Sequence, residues 1–194
     1  MKNKSIHVIL FSMIFIWGSL VMVNLYSNPK GFISYLGFSD SNSGTPLGWV
    51  LALLTVVIYC GSAAKLSEVW NYMFKLDKLK LAAIIAAVFA GIMEEVIYRK
   101  WIMDYLATHD YSYAVQVMLS GLAFGVVHLI WGIKNLKAGV NAFISTAILG
   151  FALAIVYLAS NRSLAPCIVA HFAITALIEP GLLIAAKNNT LNYW

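Results

Sequence analysis

Six apolar stretches, each close to the length of a membrane span, leave this chain few ways to fold. They run Ile6–Tyr26, Leu47–Ala64, Leu81–Ala107, Tyr113–Ile133, Gly139–Ser160 and Leu164–Ala186. About 20 mostly apolar residues are what an α-helix needs to cross a bilayer. In lipid each backbone N–H and C=O must find its partner inside the protein, so each stretch is predicted to be a helix. Composition points the same way: 61% of the 194 residues are hydrophobic and 11% are charged, against roughly 45–50% and 25% in soluble domains. The expected fold is all-α, a polytopic membrane helical bundle of six transmembrane helices. It reads as one integral membrane domain over residues 1–194, with a motif-bearing core over residues 81–186.

The first stretch follows Lys2 and Lys4 and is 21 residues long. That exceeds the ~7–15 residues of a secretory signal core, and no small-x-small cleavage site follows, so it reads as a retained span. Ser27–Pro46 carries Asn, Ser, Gly and Pro and reads as a surface connection. Lys65–Lys80 mixes Leu66, Val69, Trp70 and Phe74 with lysines and acids, the composition of an amphipathic interfacial helix.

The formal net charge of +5 sits in the short connections. It is read as a topology signal, and nothing suggests a nucleic-acid partner. An N-terminus on the cytoplasmic side places Lys2, Lys4, Lys65, Lys75, Lys78, Lys80, Lys134, Lys137 and Lys187 there. Lys30, Arg99, Lys100 and Arg162 fall on the other side. The excess favours that orientation. Cys60 and Cys167 are isolated within apolar segments and read as buried free thiols.

Ionisable side chains within spans are costly, at roughly 2.5–3.5 kcal/mol for Asp, Lys or Arg near a helix centre, so they mark function. The third stretch carries Glu94-Glu95 after thirteen uncharged residues, Leu81–Met93. Glu95 and Arg99 are four apart and share a helix face, so they are expected to pair. Glu94 points about 100° away, which leaves its carboxylate free to serve as a general base. The fourth stretch carries His128. The sixth carries His171, Thr175 and Glu179 at four-residue spacing, one polar stripe on an apolar helix. These groups are expected to converge on one buried site.

A glutamate with two histidines can hold a zinc ion with one open position, in which case Glu94, His128 and His171 are the ligands. It can also activate a water directly. The His-Glu-x-x-His signature is absent, so no cofactor is expected and zinc is the less favoured reading. Counted from the span ends at ~1.5 Å per residue, Glu94 lies about 20 Å and His128 about 8 Å from the cytoplasmic side, so the spans must tilt, start elsewhere or frame a re-entrant cavity.

Glu94-Glu95-x-x-x-Arg99, then Phe124-x-x-x-His128, then His171 near the start of a late span resembles the CPBP family, the CAAX-processing proteases and bacteriocin-processing or self-immunity proteins also called Abi. The resemblance spans Leu81–Leu177. It implies an intramembrane peptidase with a conical cavity. Glu94 and His128 would activate the hydrolytic water, His171 would help form the oxyanion site, and Glu95 and Arg99 would support the geometry. The substrate would be a membrane-embedded peptide or a lipidated tail, and the short chain suggests a prokaryotic plasma membrane. The family usually carries Asn four residues after the last histidine, where this sequence has Thr175, a shorter donor. A non-catalytic immunity or regulatory protein and a proton-coupled carrier are the alternative functions.

Overall fold

A computed structural model describes residues 4–39, 42–132, 135–188 and 190. Lys2 and Lys134, counted above toward the orientation, lie outside these residues. Eight helical stretches follow in order: α1 Lys4–Ser27, α2 Pro29–Tyr35, α3 Pro46–Ala63, α4 Ser67–Met73, α5 Lys78–Thr108, α6 Tyr113–Gly132, α7 Leu136–Ala159 and α8 Ala165–Asn188. Six of them, all but α2 and α4, are long and apolar enough to cross a membrane. Each begins and ends within three residues of the stretch read from the sequence.

Side-chain caps fix several starts. Asn28, Thr45, Asp77, Ser112 and Asn135 each accept a hydrogen bond from a backbone N–H in the first turn of α2, α3, α5, α6 and α7, which satisfies donors a helix start would otherwise leave open.

Two connections differ from the sequence reading. Ser27–Pro46 was expected to be a plain loop, yet it contains α2. Asn28 caps that turn and Pro29 occupies its first position, where a missing N–H costs nothing. The interfacial helix expected over Lys65–Lys80 is confined to α4, and it docks on α8. Val69 and Met73 are buried against the protein, while Trp70 and Phe74 face outward. Lys80, counted above as a loop charge, is buried in the first turn of α5. Its Nζ donates to the Leu177 carbonyl at 3.0 Å and the Tyr72 carbonyl at 3.4 Å.

α5 and α8 form the centre of the bundle. Ala83, Ala86, Ala87 and Ala90 give α5 a stripe of small, fully buried residues, the kind that lets helices approach closely where lipid supplies no hydrophobic drive between them. Gly91 continues the stripe against the Phe172 backbone of α8, so the next turn of α5 meets the polar stripe of α8. α1 packs on α5, and α3 packs on α7 and α8. Phe15 and Val23 of α1 and Leu53 and Ile58 of α3 are exposed, apolar and lipid-facing. The molecule is an integral membrane protein.

Candidate active site

The site forms where α5 changes its winding. Its first eighteen residues, Lys78–Glu95, are α-helical. Val96–Met103 are π-helical and Asp104–Thr108 return to α. A π-helical stretch bonds each residue to the fifth one on, and such stretches concentrate at functional sites. No periodicity of apolar residues announces it. With it, α5 spans 31 residues, about 46 Å at 1.5 Å per residue, against a hydrocarbon core of about 30 Å. The helix must therefore tilt or overhang, and tilt is one of the ways to reconcile the unequal depths of Glu94 and His128.

Arg99 and Glu95 make the expected ion pair. Nε and Oε2 lie 3.0 Å apart, both side chains are wholly buried, and the N–H is not aimed along the line to the oxygen. Arg99 Nη2 donates to the Gly150 carbonyl of α7 at 3.2 Å. That carbonyl can approach because Gly150 passes against Gly121 of α6: a Cβ on Gly150 would meet Gly121 Cα at 2.8 Å. The Arg99 guanidinium also lies over the Phe124 ring, 5.1 Å from its centroid.

His171 is held between the two glutamates. Its Nδ1 lies 2.6 Å from Glu95 Oε1 and its Nε2 lies 3.6 Å from Glu94 Oε2. A carboxylate only accepts, so Nδ1 carries a proton and Glu95 fixes the ring plane. Glu94 was expected to work with His128 and His171. The direct contact of Glu94 is His171, while His128 is near enough to interact electrostatically.

His128 sits at the turn where α6 tightens to a 3₁₀ helix. Its Nδ1 donates to the Phe124 carbonyl at 2.7 Å, which in the neutral ring leaves the Nε2 lone pair available. Phe124 is the common hub: its ring meets those of His128, His171 and Tyr98 edge to face at 4.9, 5.6 and 5.1 Å. Ser120 supports the π-helical turns by donating to the Tyr98 carbonyl at 2.9 Å.

His128, His171, Thr175 and Glu179 all line one cavity of about 190 Å³. Glu94 is not part of its wall and meets it at His171 Nε2. Trp131, Ala138 and Ala186 also line it, and all three lie near helix ends on the N-terminal side of an alternating six-span bundle. Among the described residues no three His, Cys, Asp or Glu side chains are grouped to hold a metal ion.

The sequence reading missed several parts. Glu179 was seen in the stripe but given no role, although its Oε2 is buried without a hydrogen-bond partner. Arg162, read as a topology charge, binds Asp104 at 2.7 Å and Gln116 at 2.6 Å, and Tyr157 donates to the same aspartate at 3.0 Å. This network joins α5, α6 and α7 at the far end of the bundle, away from the cavity. Only the unusual density of polar residues near those span ends could have signalled it.

Residues 77–177, just over half of the chain, match the family model described as type II CAAX prenyl endopeptidase Rce1-like. The matched segment includes Glu94, Glu95, Arg99, Phe124, His128, His171 and Thr175, and stops short of Glu179. No curated protein and no solved structure matches the chain.

Proposed function

This chain belongs to the type II CAAX prenyl endopeptidase Rce1-like family, and we propose that it is an intramembrane endopeptidase that hydrolyses a peptide bond in a prenylated or otherwise lipidated membrane-associated peptide. The observation that carries the proposal is His171, clamped at Nδ1 by a charge-balanced Glu95 and facing Glu94 at Nε2, on the wall of a cavity within the bundle.

In the proposed reaction a water binds within reach of Glu94 Oε2 and the His128 Nε2 lone pair. Glu94 takes a proton from the water, and the oxygen attacks the carbonyl carbon of the scissile bond. In this step His171 donates from both nitrogens, Nδ1–H to Glu95 and Nε2–H to the tetrahedral oxyanion, which the Thr175 hydroxyl also meets. Collapse breaks the C–N bond, and the proton held by Glu94 passes to the leaving nitrogen. A positioned base contributes about 10²–10⁴ in rate and an oxyanion donor about 10²–10³.

A second cavity of about 570 Å³ supports a lipidated substrate. It lies between α3, α7 and α8 and shares Tyr59, Ser145, Leu149, Ile178 and Leu182 with the first. Its walls are mainly apolar, a surface suited to an isoprenoid or acyl chain reaching the site from the bilayer. An N-terminus in the cytoplasm of a prokaryotic cell would open the site toward the cytoplasmic leaflet.

The test uses the purified chain in liposomes with farnesylated peptides that carry a fluorophore and quencher across the processed bond. Glu94→Gln and His128→Ala are each expected to lower turnover at least a hundredfold while the protein keeps its thermal stability. Cleavage at the wild-type rate by both variants would sink the mechanism. Thr175 in place of the family's usual Asn favours a second reading, a non-catalytic immunity or regulatory protein that binds a peptide in the same cavity. Under that reading Glu94→Gln leaves the cellular phenotype intact.

A further inference from the structure

The catalytic proposal leaves Glu179 without a task. It lies two turns after His171 on the same face of α8, directly before Pro180. Its carboxylate lines the cavity, and Oε2 is buried with no hydrogen-bond partner. The surrounding wall is apolar, formed by Ile178, Leu182 and Leu183 among others. Desolvating a carboxylate in such a place without a partner is unfavourable, and a ligand that brings a donor recovers part of that cost.

The fixed cations near the site are engaged elsewhere. Arg99 is paired with Glu95 and with the Gly150 carbonyl. Lys80 Nζ is held by the Leu177 and Tyr72 carbonyls. Among the described residues no lysine or arginine pairs with Glu94 or Glu179. Glu179 thus faces a small, mainly apolar space with no fixed cation paired to it, and Glu94 lies behind the His171 wall, near enough to Glu179 to interact electrostatically. A space of that kind attracts positive charge.

We propose that Glu179 is a substrate-reading residue: its carboxylate accepts a hydrogen bond from a basic side chain close to the cleaved bond, and so selects amphipathic peptides that carry a lysine or arginine among apolar residues. This rests on the peptidase reading for its turnover arm and on binding alone for its second arm. A backbone N–H of the peptide is the other donor that could fill the place, and the test separates the two.

The experiment uses the intact chain in liposomes and four farnesylated fluorescent peptides, identical except for Lys, Gln, Leu or Glu at one position beside the processed bond. That position is moved through the three residues on either side. Wild type is expected to favour the best-placed Lys peptide over its Leu counterpart by about tenfold or more in kcat/KM, the range of a charge-assisted hydrogen bond. The difference should reside in KM. Glu179→Gln should lose this preference while still turning over the Leu peptide, and Glu179→Lys should reverse it toward a Glu-bearing peptide. Binding of the same peptides to the Glu94→Gln chain is measured in parallel. A lysine preference in binding that disappears in the Glu94→Gln/Glu179→Gln chain supports the assignment even where wild type cleaves nothing, an outcome that would count against the peptidase reading alone. Equal binding of Lys, Gln and Leu peptides, or a lysine preference that survives Glu179→Gln, overturns it. The second of those outcomes would hand the position to the peptide backbone or to Glu94.

Discussion

Replacing Arg99 with Met should be among the most destabilising single changes available to this protein, and the reason can be dissected. The side chain has zero exposure, as has its partner Glu95. Removing the guanidinium leaves a buried carboxylate uncompensated, which costs about 3–5 kcal/mol where buried pairs have been broken. That range already contains the loss of the Gly150 hydrogen bond and of the contact over Phe124, because all three interactions belong to one charge. Glu95→Gln leaves the converse defect, an unpaired guanidinium of similar cost. Its amide oxygen still accepts from His171 Nδ1, so the His171 clamp survives. The double variant Glu95→Gln/Arg99→Met carries neither charge and should be only about 1–2 kcal/mol less stable than wild type, since replacing a whole buried pair is far cheaper than breaking it. The coupling energy is then about 4 kcal/mol or more, roughly a thousandfold in the unfolding equilibrium. Reversible unfolding in mixed micelles on titration with dodecyl sulfate, followed by tryptophan fluorescence, measures all four corners of the cycle. Single variants that each cost under about 1 kcal/mol, or effects that add within about 0.5 kcal/mol, would refute the account of Glu95 as a charge-balanced clamp.

Three further outcomes are expected. Thr175→Asn lengthens the donor beside His171 and should raise kcat, by up to about a hundredfold if the oxyanion site is the limiting element, with KM little changed; a drop in kcat would remove position 175 from that role. Gly150→Ala places a methyl against the Gly121 backbone, should cost about 1–3 kcal/mol, and should draw the Gly150 carbonyl away from Arg99, seen as faster hydrogen exchange in the π-helical segment. Outside the spans, the Thr190 hydroxyl bonds Glu68 Oε1 at 2.5 Å and holds that carboxyl below its usual range. A depressed carboxyl stabilises the fold above its unfolded-state value and loses that contribution as pH falls through its folded value. The small stability gap between wild type and Thr190→Val should therefore be present at pH 7 and gone at pH 3, and a gap that widens in acid would contradict the sign.

The six spans were legible because bilayer crossing is a matter of length and apolarity, both local and both countable. The Glu95–Arg99 pair was legible for the same reason: residues four apart on one helix meet whatever surrounds them. The partner of Glu94 was not. Whether His171 or His128 comes nearest depends on the rotation of α8 about its axis and on the depth at which α6 ends. Those are set by small residues such as Gly91 and Gly150 packing against other backbones. Nor did the apolar pattern reveal the π-helical stretch, because Val96–Met103 contains Arg99, Lys100 and Tyr98 at positions whose faces change once the winding loosens. α2 was hidden by its composition, since Asn, Pro and Gly signal a loop until Asn28 and Pro29 are seen as the cap and first position of a short helix.

Two adjacent glutamates on a helix face directions about 100° apart and would ordinarily have unrelated surroundings. Here one imidazole reunites them, because its two ring nitrogens point in opposite senses and each finds a carboxylate. What makes the arrangement asymmetric is Arg99. Paired with a guanidinium, Glu95 can accept the His171 Nδ1 proton as a hydrogen bond without drawing it away, the part a buried carboxylate plays behind a catalytic histidine. Glu94 has no such partner, so the exchangeable proton at this site belongs to Glu94, His171 Nε2 and whatever lies between them. Under the proposed mechanism, the i,i+4 spacing of Glu95 and Arg99 thus decides which glutamate is left to act as the base. Exchanging the two roles would take more than moving a charge: an arginine at position 98 is needed to balance Glu94, and that position is now Tyr98, packed edge-on against Phe124.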